Sequence, residues 1–109
     1  MNITFNIYYK SKNGNAKKFA TDMINSGIVD EIKSKKGNLR YDYFIPLNDE
    51  GTILLIDSWE NQKALDEHHN SDTMKKITEL RNKYDLHMTV EKYIKDDTNM
   101  EANDKFIRK

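Results

Sequence analysis

The 109-residue chain has no cysteine, a single proline and no formal net charge, because 18 lysine and arginine residues balance 18 aspartate and glutamate residues. The lack of cysteine excludes disulfides, thiolate metal sites and a cysteine nucleophile. The balanced charge leaves little long-range field that could attract nucleic acid or anionic lipid. We therefore expect neither nucleic acid nor a membrane surface as a partner.

Long hydrophobic segments are also missing. No apolar stretch reaches the roughly 18 residues that suggest a membrane-spanning helix, and the N-terminal segment from Met1 to Asn6 alternates instead of showing a basic region followed by an apolar run. We expect no signal peptide, no membrane span and a cytoplasmic location. A chain of this length suits one domain with a two-layer core.

The first strand is predicted over residues 3–10, where apolar and polar side chains alternate. Phe5 and Ile7 fall on one face, and Asn6 and Tyr8 fall on the other, because successive side chains of a strand point to opposite faces. The pattern does not decide which of these faces lies against the helices.

Three further strands follow later in the chain. Residues 38–45 are rich in tyrosine and phenylalanine, and turn residues at 46–51 lead into a strand at 52–59, so that the two strands form a hairpin. The segment 52–59 is apolar on both faces, which is typical of a central strand covered on both sides. The last strand is predicted from Leu86 to Ile94.

Two segments show helical spacing of apolar residues. The first begins near Ala16, is expected to break near Ser26-Gly27, and ends at a cationic run, Lys33 to Lys36, that we interpret as a solvated helix end. The second extends over about residues 61–84. It is expected to be interrupted at Asn70-Ser71, where Ser71 has the position of a fresh N-cap.

The order of these elements, βαββαβ, predicts an α+β fold of the ferredoxin-like type, with both helical segments on one face of an antiparallel sheet. The other face would expose apolar surface, which soluble monomers rarely do. We therefore expect a homodimer, a dimeric α+β barrel in which a second copy covers that face. The domain is expected over residues 1–95. Residues 96–109 form a polar tail, expected to lack order unless Phe106-Ile107 docks.

The segment from Leu54 to His69 carries the most informative side chains for chemistry. Trp59, the only tryptophan, ends the central strand, and it could pack in the core or form the wall of a binding site. His68 and His69 are adjacent on a helix, so their side chains diverge by roughly 100° and cannot both face one ligand. His68 is favoured inward because it follows Ala64 by one turn, although His69 remains an alternative.

Polar and aromatic residues on the first two strands complete the candidate site. Asn6, if it faces inward, needs a hydrogen-bond partner such as a ligand oxygen or an oxyanion. Tyr8, Tyr41 and Tyr43 provide aromatic surface, although aromatic residues are also simply good strand formers. No metalloprotease, P-loop, dinucleotide or EF-hand motif is present, and we expect neither a metal nor another cofactor.

Two motifs resemble the antibiotic biosynthesis monooxygenase family. They are Gly37-Asn38-Leu39-Arg40-Tyr41 and the run from Trp59-Glu60 through Ala64-Leu65 to His68, and the resemblance extends over about residues 3–94. It implies a cofactor-independent monooxygenase acting with dioxygen on a quinol-like or polyketide-like aromatic. His68 would remove a phenolic proton, Asn6 and the Trp59 indole would hold the anion, and Tyr8, Tyr41, Tyr43 and His69 would contact the substrate.

Three alternatives stand beside this interpretation. A non-catalytic dimeric module could bind a small ligand in the same cavity. In haem-degrading relatives, an Asn on strand one is combined with a helical Trp and an iron-ligating His; Asn6 fits, but these two positions fall on His68 and near Thr78 here. An RNA-binding plait is disfavoured because the strand at 52–59 lacks basic and exposed aromatic residues.

Overall fold

The computed structural model describes residues 1–96 and 101–108 of the chain. Its elements are β1 (Ile3–Lys10), α1 (Asn15–Asn25), α2 (Ile28–Lys33), β2 (Asn38–Phe44), β3 (Thr52–Trp59), α3 (Gln62–His69), α4 (Asp72–Lys83), β4 (His87–Ile94) and α5 (Glu101–Asp104). The four strands form one antiparallel sheet in the order β2-β3-β1-β4. This confirms the α+β, ferredoxin-like βαββαβ prediction.

The helices α1 to α4 cover one face of the sheet, and the strand register decides which side chains lie beneath them. In β1, Ile7 pairs with Leu55 of β3 and both are buried in the core, together with the neighbouring alternate residue Tyr9. Asn6 pairs with Ile56, and both lie on the open face, away from the helices. The odd-numbered set of β1 therefore faces the helices.

Both predicted helix breaks are present. Gly27 separates α1 from α2 in the left-handed backbone region, with φ 85°, which glycine adopts without a steric penalty. Ser71 separates α3 from α4, and its hydroxyl oxygen accepts a hydrogen bond from the Met74 backbone N–H at 3.4 Å, as an N-cap does. Each predicted long helix is thus two shorter helices, and all four lie on the same face of the sheet.

Gly37 allows the start of β2 to pack directly on α3. Its φ is 89°, and a side chain at this position would place a Cβ only 2.5 Å from Cβ of Ala64. The Gly37 carbonyl also accepts a hydrogen bond from the Glu60 backbone N–H at 2.8 Å. The close approach fixes the first turn of α3, and so the direction in which His68 projects.

The structure differs from the predicted boundaries in small ways. β2 ends at Phe44 and β4 begins at His87, each one residue inside the predicted range, and a register shift lies between Asn38 and Arg40. A single helical turn, α5, forms in the polar tail, which was expected to lack order unless Phe106-Ile107 docks. Residues 97–100 and 109 of this tail lie outside the described part. In residues 1–96 and 101–108, no helix is long and apolar enough to cross a membrane.

Candidate active site

A chamber of about 190 Å³ lies between the sheet and the helices α3 and α4. Its floor is formed by β1, β2 and β3 and its roof by the two helices. It opens along the edge strand β4, where Met88 and Val90 line it and are 43% and 51% exposed. The lining residues are Phe5, Ile7, Tyr41, Leu55, Asp57, His68, His69, Met74, Ile77, Arg81, Met88 and Val90.

Asp57 is the carboxylate of the chamber floor. It lies on the helix-facing side of β3, beside Tyr41 of β2 and Phe5 of β1, and is only 6% exposed. Its Oδ1 accepts a hydrogen bond from the Trp59 indole N–H at 2.8 Å, and no described residue hydrogen-bonds to Oδ2. Burial raises the pKa of Asp57 to about 7, although the Trp59 hydrogen bond and the charge of Arg81 oppose the shift. A carboxyl group poised at this pKa can accept a proton near neutral pH.

His68 forms part of the chamber wall and faces inward, as the sequence favoured. It is 4% exposed and stacks on Trp59 with the ring centres 4.8 Å apart and an interplanar angle of 21°. Nδ1 of His68 lies 3.0 Å from Nζ of Lys35, which also donates a hydrogen bond to the Ser71 hydroxyl at 2.7 Å. Burial, followed by the positive charge of Lys35, lowers the pKa of His68 to about 4.

These contacts assign a protonation state to the ring. An ammonium group has donors only, so Nδ1 must accept from Lys35, and the remaining proton of the neutral imidazole then lies on Nε2. No described residue forms a hydrogen bond with Nε2. His68 at neutral pH is therefore a hydrogen-bond donor toward the chamber, and its environment favours Asp57 over His68 as the base.

Arg81 projects from α4 into the roof of the chamber. Its Nε and Nη2 donate hydrogen bonds to the Tyr9 hydroxyl at 3.1 and 2.8 Å, and its guanidinium lies 5.6 Å from the centre of the Tyr9 ring. Burial raises the pKa of Tyr9, so this hydroxyl stays neutral and does not cancel the charge of Arg81. The chamber thus combines an apolar wall with one acid and one cation.

The other predicted site residues on the helix-covered side of the sheet differ in their position relative to the chamber. Trp59 is fully buried behind the chamber, where its indole N–H is taken by Asp57 and is not free for an anion. Tyr41 lines the chamber, and His69 lies exposed at its rim, 5.9 Å from His68 between ring centres. Tyr43 is half-buried outside the lining, and its hydroxyl has no hydrogen-bond partner among the described residues.

Asn6 and Tyr8 lie on the open face of the sheet, opposite the chamber, because β1 places its odd-numbered residues under the helices. Asn6 borders a shallow depression there, with Thr4, Ser58 and Tyr93. A single chain therefore does not bring Asn6 or Tyr8 together with His68. Their predicted catalytic and substrate-binding roles stay predictions that this geometry does not support.

Three residues of the site were not anticipated from the sequence. Asp57 had a usable signal, since it is an acid inside an apolar strand on the same face as Trp59 two residues later. For Arg81, the only sequence signal was its position four residues after Ile77, on the same side of a helix. Lys35 was interpreted as part of a solvated cationic run, whereas it is half-buried against His68, because the end of α2 packs beside the junction of α3 and α4.

The residues at the positions required for haem do not fit that cofactor. Thr78 stands near the position of the axial histidine, but it is exposed on α4 and its hydroxyl donates to the Met74 carbonyl at 3.0 Å. A threonine cannot provide the imidazole that such a site needs. In the described residues, no group of three His, Asp or Glu side chains is placed to hold a metal ion.

Comparisons with solved structures show the same fold. A candidate antibiotic biosynthesis monooxygenase from Caulobacter crescentus CB15 aligns with a TM-score of 0.76 and 16% identity over 88% of this chain and 91% of that one. A second candidate of this kind, from Deinococcus radiodurans, gives 0.75 and 15% over 91% and 96%. A conserved protein from Methanosarcina mazei Go1 gives 0.75 and 20% over 88% and 94%.

The comparison with family models identifies the family. A search of curated proteins gives no significant match. The model described as antibiotic biosynthesis monooxygenase matches residues 2–80, a range that includes β1, β3, α3 and the chamber residues Asp57 and His68. Since this match covers well over half of the chain, the protein belongs to the antibiotic biosynthesis monooxygenase family.

Proposed function

We propose that the protein is a cofactor-independent monooxygenase that oxygenates a quinol-like or polyketide-like hydroxyarene. Membership of the family supports a monooxygenase-like function in general. The observation that carries the specific proposal is Asp57, a buried carboxyl group with a pKa raised to about 7, at the floor of an apolar chamber. Such a group can remove a phenolic proton inside a largely apolar site.

Proton removal is the step in which the protein participates directly. Asp57 accepts the hydroxyl proton of the substrate at Oδ2, while the Trp59 indole keeps Oδ1 in place. The N–H of His68 Nε2 donates a hydrogen bond to the oxygen on which negative charge develops. Preorganised donors of this kind stabilise the anion strongly, because they need no reorganisation during the reaction. The stacking of His68 on Trp59 holds the donor in a fixed plane.

The oxidation balances with dioxygen as the only oxidant. The arenolate passes electrons to dioxygen, a C–O bond forms at a ring carbon, and the resulting hydroperoxide loses water. One oxygen atom enters the ring as a quinone oxygen and the other leaves as water, so that a phenol and one dioxygen give a quinone and one water. The proton held by Asp57 passes to the peroxide oxygen, which regenerates the carboxylate, and the water that leaves carries this proton and the hydrogen of the oxygenated ring carbon.

A second copy of the chain completes the assembly in this proposal. The open face carries half-buried apolar residues of the central strand, Leu54 and Ile56, beside the exposed Tyr93 of β4. Apolar surface of this kind on a sheet is typically covered, and a two-fold dimer covers it with the same face of a second molecule. Asn6 and Tyr8 would then lie in the dimer interface.

Oxygen consumption tests the proposed function. Metal-free protein is incubated with mono- and bicyclic quinols and phenols, and oxygen uptake and product mass are measured. We expect one dioxygen consumed per substrate, no hydrogen peroxide, and a product that gains one oxygen and loses two hydrogens. Asp57→Asn should lose the activity, whereas Asp66→Asn, on the exposed side of α3, should retain it. Binding of the ligands without protein-dependent oxygen uptake would overturn the proposal and indicate a binding module.

A further inference from the structure

Arg81 is a half-buried cation that lacks an acidic partner. The salt bridges of the described residues join other side chains, and none includes Arg81. Two of its N–H groups donate to the neutral hydroxyl of Tyr9, and the guanidinium has five. Charged side chains removed from water are normally paired, because leaving them unpaired is costly. The half-buried guanidinium in the wall of the chamber therefore keeps a positive charge and further N–H donors with which an anionic ligand can pair.

Asp57 does not supply that charge. It is close enough for the charge of Arg81 to act on its carboxyl group, yet the two form no salt bridge. Asp57 lies on the floor in β3 and is hydrogen-bonded to Trp59, whereas Arg81 lies in the roof on α4 and is held by Tyr9. The two groups thus reach a ligand from different sides, and a ligand can meet both at different substituents.

The volume of the chamber limits the ligand. An engineered apolar cavity of about 150 Å³ holds one benzene molecule, and sites for drug-sized ligands occupy about 300–1,000 Å³. The chamber here measures about 190 Å³. The enclosed part of the chamber therefore has room for one aromatic ring and its substituents, between Leu55 and Ile7 below and Ile77 above, while the side along β4 is open.

We propose that the chamber binds a single-ring hydroxyarene carrying a carboxylate or another anionic substituent, and that Arg81 binds the anionic group. The proposal rests on the proposed function for the assignment of the hydroxyl group to Asp57. Arginine suits the task because its planar donors match the two oxygens of a carboxylate. The substrate class is thereby narrower than the quinol-like or polyketide-like aromatics suggested by the family.

Binding without turnover tests this inference. Trp59 is the only tryptophan and stacks on His68 in the chamber wall, so its fluorescence reports occupancy of the chamber. Under anaerobic conditions the protein is titrated with 2,5-dihydroxybenzoate, with its neutral isostere 2,5-dihydroxybenzamide, and with the two-ring 1,4-dihydroxy-2-naphthoate. We expect the benzoate to bind at least about 10-fold more tightly than the amide, which corresponds to about 1.4 kcal/mol, and the naphthoate to bind more weakly than the benzoate.

Variants assign the preference to Arg81. Arg81→Met should bind the benzoate no better than the amide, and Arg81→Lys should recover part of the preference. Arg108→Met, at an exposed position near the C-terminus, should behave as wild type. Equal affinity of wild-type protein for benzoate and amide would overturn the inference even if Arg81→Met did not fold. A preference for benzoate without oxygen uptake would leave this inference standing and overturn only the oxygenase proposal.

Discussion

Nζ of Lys35 lies 3.0 Å from Nδ1 of His68, so a cation just after α2 occupies one nitrogen of a buried imidazole at the end of α3. The Ser71 hydroxyl fixes the pair, since it accepts from Lys35 at 2.7 Å and donates to the His68 carbonyl at 2.6 Å. This arrangement makes His68 a neutral donor, which is why Asp57 is the proposed base.

Lys35→Met removes the ammonium from Nδ1. The pKa of His68 should rise, because a neighbouring positive charge no longer opposes protonation, yet it should stay below its ordinary value, because burial is the larger cause of the shift. Nitrogen NMR of the imidazole ring over a pH series measures both the pKa and the tautomer. Lys36→Met, at an exposed position, is the matched control. A wild-type ring that carries its proton on Nδ1 at neutral pH, or an unchanged pKa of His68 in Lys35→Met, would contradict the assignment.

The pH dependence of stability separates Asp57 from His68. The pKa of Asp57 is raised from 3.8 to about 7 in the folded protein. The free energy of unfolding therefore falls as pH rises through this range, because only the unfolded chain loses the proton. The pKa of His68 is lowered from 6.5 to about 4 in the folded protein. The free energy of unfolding therefore falls as pH falls through that range, because only the unfolded chain gains the proton. In the wild-type protein the two contributions oppose each other between about pH 4 and 6.5.

Removing either group should therefore reveal the pH dependence of the unfolding free energy that the other group contributes. Relative to wild type, the unfolding free energy of Asp57→Asn should increase with pH in this window, and that of His68→Gln should decrease, each by up to about 1.4 kcal/mol per pH unit. Denaturant titrations at several pH values provide the measurement. Parallel curves for wild type and both variants would show that neither group is shifted.

Gly37→Ala tests the packing that orients α3. The positive φ costs an L-residue about 1–2 kcal/mol, and the new methyl group would also meet Cβ of Ala64 at 2.5 Å, so the backbone must move. We expect a loss of about 2 kcal/mol or more in unfolding free energy. Gly14→Ala, also at positive φ but with open space around it, separates the cost of φ from the cost of contact. Equal losses in the two variants would refute a packing role.

Ile56→Asp tests the proposed dimer. Ile56 lies on the open face of the central strand, and an aspartate there would place a charge in the interface. Sedimentation should show a monomer for this variant and a dimer for wild type. Ile24→Asp, at an exposed position of α1, should remain dimeric. A wild-type protein that sediments as a monomer at micromolar concentration would count against the second copy.

The fold could be predicted from the sequence because the spacing of apolar residues that specifies strands and helices is local. Alternation over residues 3–10 and helical spacing around Phe19 and Ile77 specify strands and helices, and Ser71 specifies a helix start. The sequence did not predict which face of β1 lies against the helices. β3 is apolar on both sides, so either phase of β1 satisfies the pattern, and only tertiary packing selects Phe5 and Ile7 over Asn6 and Tyr8.

The site was accessible only in part, because its chemistry arises from contacts between distant segments. His68 followed from helical spacing, and Trp59 from its position at the end of a strand. The shifted pKa of Asp57 requires burial by helices that follow it in the chain, and the tautomer of His68 requires Lys35, 33 residues earlier. No local pattern contains either relationship.

The pH dependence of kcat/KM for oxygen consumption tests the assignment of the base most directly. If Asp57 accepts the proton, the rate should rise with pH through an apparent pKa near 7, and Asp57→Asn should reduce it by about 100-fold or more, whereas His68→Gln should retain the same pH dependence with a lower maximum. A rate that rises near pH 4 instead, and loses that dependence in His68→Gln, would identify His68 as the base and contradict the account.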